Sequence, residues 1–155
     1  MKQEMTKSDS WQLNQFIARA YGFDGFIRPN SRVEIIDNEI ILIDNRPAWF
    51  YYIKRLVPTV QTLLDYNFLK KVYVENEAIP YVKEKLAVLR PSIGRFDSSI
   101  KQNEFVCVSN EKWDKPFAVG IALYAGEDIA KLKAGEMIKI VHYVGDRIWE
   151  LTGSV

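Results

Sequence analysis

Two basic segments and one histidine–tyrosine pair are the parts of this chain whose residue types and spacing suggest chemistry. Arg90, Arg95 and Lys101 fall within one turn-rich stretch, and Lys131, Lys133 and Lys139 within another. Side by side they would form a basic rim for phosphates, arginine binding through paired hydrogen bonds and lysine as a point charge. Alternatively they are scattered cations that keep the surface soluble, and spacing alone leaves both readings open. In Arg90-Pro91-Ser92-Ile93 the proline fixes one backbone angle, and Gly94 restores freedom just after it. Such a turn presents backbone amides and an arginine together. His142 and Tyr143 close an apolar strand-length run, where they either stack an unpaired base or seal the end of a core.

Enzyme signatures are sparse. With a single histidine, a base-activated nucleophile hangs on His142, and a triad of His142, Asp146 and Cys107 is set against a hydrogen-bonded structural histidine. Neither GxGxxG nor GxxxxGK[ST] occurs, so no nucleotide-binding loop is visible. One histidine and one cysteine give no metal site built on several imidazoles, and one cysteine gives no intramolecular disulfide. Cys107, within Phe105-Val106-Cys107-Val108, reads as a small apolar filler. The sequence thus predicts no catalytic residues, no cofactor and no metal.

The elements that must position these residues are legible from periodicity. Ser10 is a plausible N-cap for a helix whose face carries Leu13, Phe16, Ile17 and Ala20, and Gly22 stops it. Val33 to Ile36 and Ile40 to Ile43 are β-branched runs around Asp37-Asn38-Glu39, a hairpin pattern. Asp44 to Pro47 is a second turn, followed by the aromatic strand Ala48 to Ile53, apolar on both faces and needing cover from the rest of the chain or from a partner. Pro58 suits the first turn of a helix burying Val60, Leu63 and Leu64. Val72 to Val74 is a short strand, and a helix with Pro80 in its first turn carries Ile79, Val82 and Leu86. Beyond Leu86 the pattern changes to short strands and glycine turns, which predicts a small barrel. Trp149, alternating with charged neighbours, is expected in the core.

Composition bounds the answer. The 155 residues are 48% hydrophobic and 13% aromatic, enough for a packed core and too much for disorder. Lys plus Arg number 21 against 20 Asp plus Glu, divided 10 and 10 up to Glu77 and 11 and 10 from Ala78. Neither part is a polycation, so any affinity for RNA must come from local clustering and respond to salt. No apolar run approaches the roughly 18 residues of a membrane span, and the N-terminus lacks a signal-peptide apolar region. A cytoplasmic protein without membrane partners is expected.

The order of these pieces resembles the PUA domain, the RNA-binding module named for pseudouridine synthase and archaeosine transglycosylase. Arg90-Pro91-Ser92-Ile93 with Phe96-Asp97, Ala118 to Ala122, Gly135, and His142 to Asp146 leading to Trp149 carry the resemblance. Upstream, Arg55 to Val60 and Asn76 to Val82 look like the pre-PUA half of the malignant T-cell-amplified sequence family, which usually has glycine where this chain has Ser92. The resemblance implies an α+β protein: an N-terminal antiparallel meander with covering helices (residues 1–77), followed by a PUA-like β pseudo-barrel (78–155). It further implies a non-catalytic RNA-binding protein linked to translation, with tRNA or rRNA as ligand and the small ribosomal subunit or a translation factor as partner. The RNA-binding residues it points to are Arg90, Ser92, Ile93, Arg95, Lys101, Lys131, Lys133, Lys139, His142 and Tyr143. Two other roles fit the same residues: an accessory that guides an RNA-modifying enzyme, and a protein-binding adaptor without RNA affinity.

Overall fold

In the computed structural model, which describes residues 1–151, the β-branched runs near the N-terminus pair in chain order. Strands β1 (Lys2–Glu4), β2 (Val33–Ile36), β3 (Ile40–Ile43), β4 (Arg46–Tyr52) and β5 (Arg55–Pro58) form one five-stranded sheet in the order 1-2-3-4-5. Helix α1 (Lys7–Tyr21) lies between β1 and β2 in the chain. Its N-cap is Thr6 rather than Ser10, the Thr6 hydroxyl accepting from the Asp9 amide at 3.0 Å, and Gly22 ends it at φ 71°. Leu13 and Ile17 are its buried residues, while Phe16 is half exposed. Asn14 ties the following loop to the helix by exchanging hydrogen bonds with the Ile27 backbone at 2.9 and 2.7 Å.

The three hairpin turns each place two successive residues at positive φ: Asp37 and Asn38, Asp44 and Asn45, Ile53 and Lys54. Such primed turns match the right-handed twist of the strands they join. Asp and Asn tolerate that conformation, whereas a β-branched residue does not. Ile53 therefore sits strained at an exposed tip (φ 45°, 78% exposed). Ile53→Asn is expected to stabilise the protein by about 1 kcal/mol, seen as a higher urea midpoint at unchanged slope; a lower midpoint would contradict the strain.

The described chain divides into two compact units, Met1–Val57 with Glu150 and Leu151, and Pro58–Trp149. The sequence reading divides it at 77/78, downstream of that point, because the partners of residues 58–77 are distant in the chain. Helix α2 (Val60–Asp65), capped by Thr59 and not begun by Pro58, packs on a strand of the second unit and leaves Leu64 40% exposed rather than buried. Strand β6 (Lys71–Val74) joins the second unit's sheet.

That sheet contains β7 (Ala87–Leu89), β8 (Ile93–Phe96), β9 (Phe105–Asn110), β10 (Lys115–Ala122) and β11 (Glu136–Tyr143), in the order 7-11-10-9-6-8. Its two edge strands, β7 and β8, are consecutive in the chain and joined only by a 3-10 turn, Arg90–Ser92. A sheet whose edges are tied by three residues must curl on itself, which makes the pseudo-barrel. Helix α3 (Ile79–Lys85) carries Pro80 in its first turn, as expected, and ends at Leu86 in the left-handed region, leaving Leu86 43% exposed rather than packed. Helix α4 (Gly126–Lys131) fits because residue 126 has no side chain: a Cβ there would lie 2.5 Å from the Ser98 carbonyl oxygen. Val72, Val82, Val106, Ile129 and Ile138 belong to the core inside the curl. No helix among the described residues is long and apolar enough to cross a membrane.

Candidate nucleic-acid interface

The turn Arg90–Ser92 meets the chain around α4 and β11 through one residue. The Arg90 amide donates to the Gly135 carbonyl at 2.9 Å, and its Nε donates to the Ile129 carbonyl at 2.8 Å. The same guanidinium reaches the Ile93 carbonyl at 3.4 Å and lies 5.6 Å from the Phe96 ring centre. Arg90 thus brings the two basic segments together, but as a half-buried clasp rather than as a phosphate ligand. The first segment's turn and the second segment's loop are neighbours because of it.

Other expected contacts are also taken up by the fold. Ile93 is 5% exposed and belongs to the core, since β8 begins there and must point one side chain inward. Ser92 is not among the positive-φ residues, so the turn has no need of a glycine there. His142 is fully buried with Nδ1 2.9 Å from Asp146 Oδ2, so it does not offer a face to a base. Tyr143 is half-buried, packs against the barrel core and uses its amide on Asp146 Oδ2 at 3.1 Å. Both side chains thus pack at the end of β11, where Asp146 ties them to the turn that follows. Cys107 is buried, its Sγ 3.5 Å from Ser109 Oγ, and burial pushes the thiol pKa up, the opposite of what an activated nucleophile needs.

Arg95, Lys101, Lys131, Lys133 and Lys139 are exposed. They do not form one cluster. Arg95, on β8, stacks its guanidinium 3.6 Å from the Tyr73 ring centre in an open groove of about 430 Å³ that also holds Lys70 and Lys71. Much of that groove's charge is neutralised locally, Lys70 by Glu104 at 3.2 Å and Lys71 by Asp114 at 3.1 Å. Hydrogen bonds from Lys71 and Tyr73 hold the Asp114 carboxyl below its ordinary pKa, and Asp97, held low by Ser99, adds a further negative charge. Lys101 sits in a loop whose amide is taken by Glu104 Oε1 at 2.9 Å.

The other three lysines follow β7. Lys139 is the register partner of Ala87 at the start of that strand, and Lys131 and Lys133 lie within the Ile129–Gly135 stretch that clasps Arg90 just beyond its end. Lys83 and Lys85, in the last turn of α3, precede it and were not expected from sequence, where they read as ordinary helix-end charges. At about 3.3 Å per residue, the three residues of β7 separate the two groups by roughly 10 Å. Lys85, Lys131 and Lys133 form no ion pair among the described residues, so their charge faces solvent, with Glu136, paired in register with Leu89, as the nearest acid of β11. A strip of lysines with this spacing can meet successive phosphates of one strand.

A small curled sheet with its edges tied by a basic turn, together with the pattern of residues 70–144, decides the relationship: that stretch matches the PUA domain. The chain belongs to the PUA-domain proteins. It is 37% identical over 137 residues to an uncharacterized protein of Methanocaldococcus jannaschii, covering 84% of this chain and 83% of the relative. Malignant T-cell-amplified sequence 1 of Danio rerio is 25% identical over 92% of this chain and 78% of its own length. Translation machinery-associated protein 20 of Eremothecium gossypii is 20% identical over 74% of this chain and 67% of its own. A PUA domain from Aeropyrum pernix K1, solved as a tartrate complex, superposes with a TM-score of 0.81 at 21% identity, over 97% of this chain and 89% of its own. The α+β fold with a PUA pseudo-barrel and the relationship to the malignant T-cell-amplified sequence proteins are therefore as the residues led one to expect.

Proposed function

We propose that this PUA protein binds structured RNA, tRNA or rRNA, without catalysing a reaction on it, and serves the translation machinery in the cytoplasm, with the small ribosomal subunit or a translation factor as its partner. Residues 58–149 carry the RNA site. The observation that carries the reading is the group of lysines about β7, whose two ends the Arg90 clasp joins and of which Lys85, Lys131 and Lys133 have no carboxylate partner among the described residues. A relative named for the translation machinery supports the cellular role.

The test is titration of folded tRNA with the wild type and with Lys131→Ala, Lys133→Ala and Lys139→Ala across a salt series. Each change is expected to weaken binding several-fold and to make the slope of log K against log salt shallower by about one. Lys70→Ala, whose charge is already met by Glu104, serves as the neutral comparison. Identical affinities and slopes for all five proteins would remove the strip from the interface and leave the adaptor role in its place.

A further inference from the structure

The N-terminal unit carries an open groove of about 480 Å³ between the outer side of α1 and the end of the β4–β5 hairpin. Leu13 and Leu56, both buried, belong to its lining. Phe16 and Tyr51 line it as well, yet they keep 44% and 36% of their surface open to solvent. The sequence reading places Phe16 on the buried face of α1 with Leu13 and Ile17. In the structure it stands at the margin of that face, where the rest of the unit leaves its ring uncovered.

Charge is ordered along this groove. Asp9, Gln12, Phe16 and Arg19 follow an i, i+3, i+7, i+10 spacing, so they form one stripe along the helix. Asp9 is in the first turn and Arg19 in the last, about 15 Å apart at 1.5 Å per residue. The Tyr21 hydroxyl donates to the Leu56 carbonyl, which sets the start of β5, and Lys54 just before it, beside the C-terminal end of α1. One end of the stripe is therefore acidic and the other basic. Asp9, Arg19 and Lys54 form no ion pair among the described residues.

The stripe is complementary to itself. Asp9 and Arg19 lie equally far from Asn14 in the chain, and so do Gln12 and Phe16. An antiparallel second α1, related by a two-fold axis at the level of Asn14, sets Asp9 against the second copy's Arg19 and brings the two Phe16 rings together near the axis. A two-fold interface requires this reciprocity, whereas an unrelated partner has no need of a stripe balanced about its own midpoint. Antiparallel order also sets opposite ends of the helix dipoles side by side. We propose that two copies of this chain associate through this face, α1 against α1, with Asp9 of each copy meeting Arg19 and Lys54 of the other around a centre of Phe16 and Tyr51. A contact made by one helix and one hairpin end falls among the smaller interfaces, so the association is weak and reversible. It does not rest on the RNA-binding reading, whose residues lie in the other unit.

The experiment is equilibrium sedimentation of the full chain from micromolar to near-millimolar concentration. The average mass should rise from one chain towards two, and the association should weaken as salt is added. Asp9→Arg and Arg19→Asp should each weaken it by about tenfold, since each change turns two attractive pairs into two repulsive ones. Mixed in equal amounts, the two variants should associate with each other at about wild-type strength, because every pair of positions 9 and 19 is again opposite in sign. Phe16→Ala, a truncation at an exposed site that leaves the fold intact, should weaken association with the charges unchanged. A wild type that stays single at every concentration overturns the proposal, as does association that survives all three changes. A single chain whose α1 amide signals answer to an unrelated amphipathic helical peptide would give the face to a different protein and overturn it equally.

Discussion

Trp49→Ala is expected to cost the N-terminal unit about 4 kcal/mol, the largest loss from any single change considered. The indole is fully buried, 5.3 Å from the ring of Tyr21 and 5.1 Å edge-on from that of Phe26. Those two rings come from the end of α1 and the loop beyond Gly22, so the indole ties the helix, its loop and the meander together. Truncation removes the largest side chain of that core and leaves a cavity that three separate segments cannot collapse to fill. Tyr21 also donates its hydroxyl to the Leu56 carbonyl, and burial pushes its phenol pKa up to about 12, so the neighbouring ring belongs to the same packed interior. The loss is measured by urea unfolding and, unit by unit, by amide hydrogen exchange. Protection should fall in α1 and β2 to β4 while β9 to β11 keep theirs, and tRNA affinity below the transition should equal the wild type's, because the lysine strip lies wholly in the other unit. Uniform loss of protection across both units would contradict a core confined to the first.

How much of this molecule could be read from its residues depends on the distance between partners. Elements whose determinants are local were legible: the Asp37-Asn38 and Asp44-Asn45 turns, the Gly22 stop and the Pro80 helix start all act within a few residues of themselves. The three-stranded meander β2 to β4 followed, because each of its strands pairs with its chain neighbour, whereas β1 and β5, which extend the sheet to five strands, were not expected. The barrel's closure did not follow from periodicity. Its order brings β6 beside β9 in parallel and beside β8 in antiparallel, which no local pattern specifies. Val72 to Val74 read correctly as a strand, but nothing in those residues says which sheet it joins.

The candidate site shows the same division. The basic residues were visible as types, and the surface they belong to was not. Arg90 looked like a ligand because arginine in a proline turn is commonly exposed, yet its guanidinium partner is the Ile129 carbonyl, 39 residues away. Lys85 looked like a helix-end charge and sits at the head of the β7 strip. Arg95 and Lys101, close to Arg90 in sequence, are carried elsewhere by β8 and the loop after it, because a strand moves its residues about 3.3 Å apart per step and alternates their faces.

Asp146→Ala is expected to cost about 3 kcal/mol, out of proportion to a residue at a surface turn, because its carboxylate is the common acceptor for three donors. Oδ2 takes His142 Nδ1 at 2.9 Å and the Tyr143 amide at 3.1 Å, and Oδ1 takes the Trp149 amide at 2.8 Å. The side chain is 13% exposed against none for His142, so water cannot fully replace what is removed. Asp146→Asn should recover about half of the loss, since an amide offers one acceptor oxygen where the carboxylate offers two. Burial pushes the Asp146 carboxyl pKa up, but the hydrogen bonds from His142, then from the Trp149 and Tyr143 amides, outweigh it and hold the group below its ordinary value. A carboxyl depressed in the folded state stabilises the protein fully above its unfolded pKa of about 3.9 and loses that contribution as pH falls through the lower folded value. The stability gap between wild type and Asp146→Ala should therefore be constant from about pH 5 to 6 and narrow below about pH 4 in urea titrations; a gap that stays level down to pH 3 would show that the carboxylate's charge is not what the three donors require.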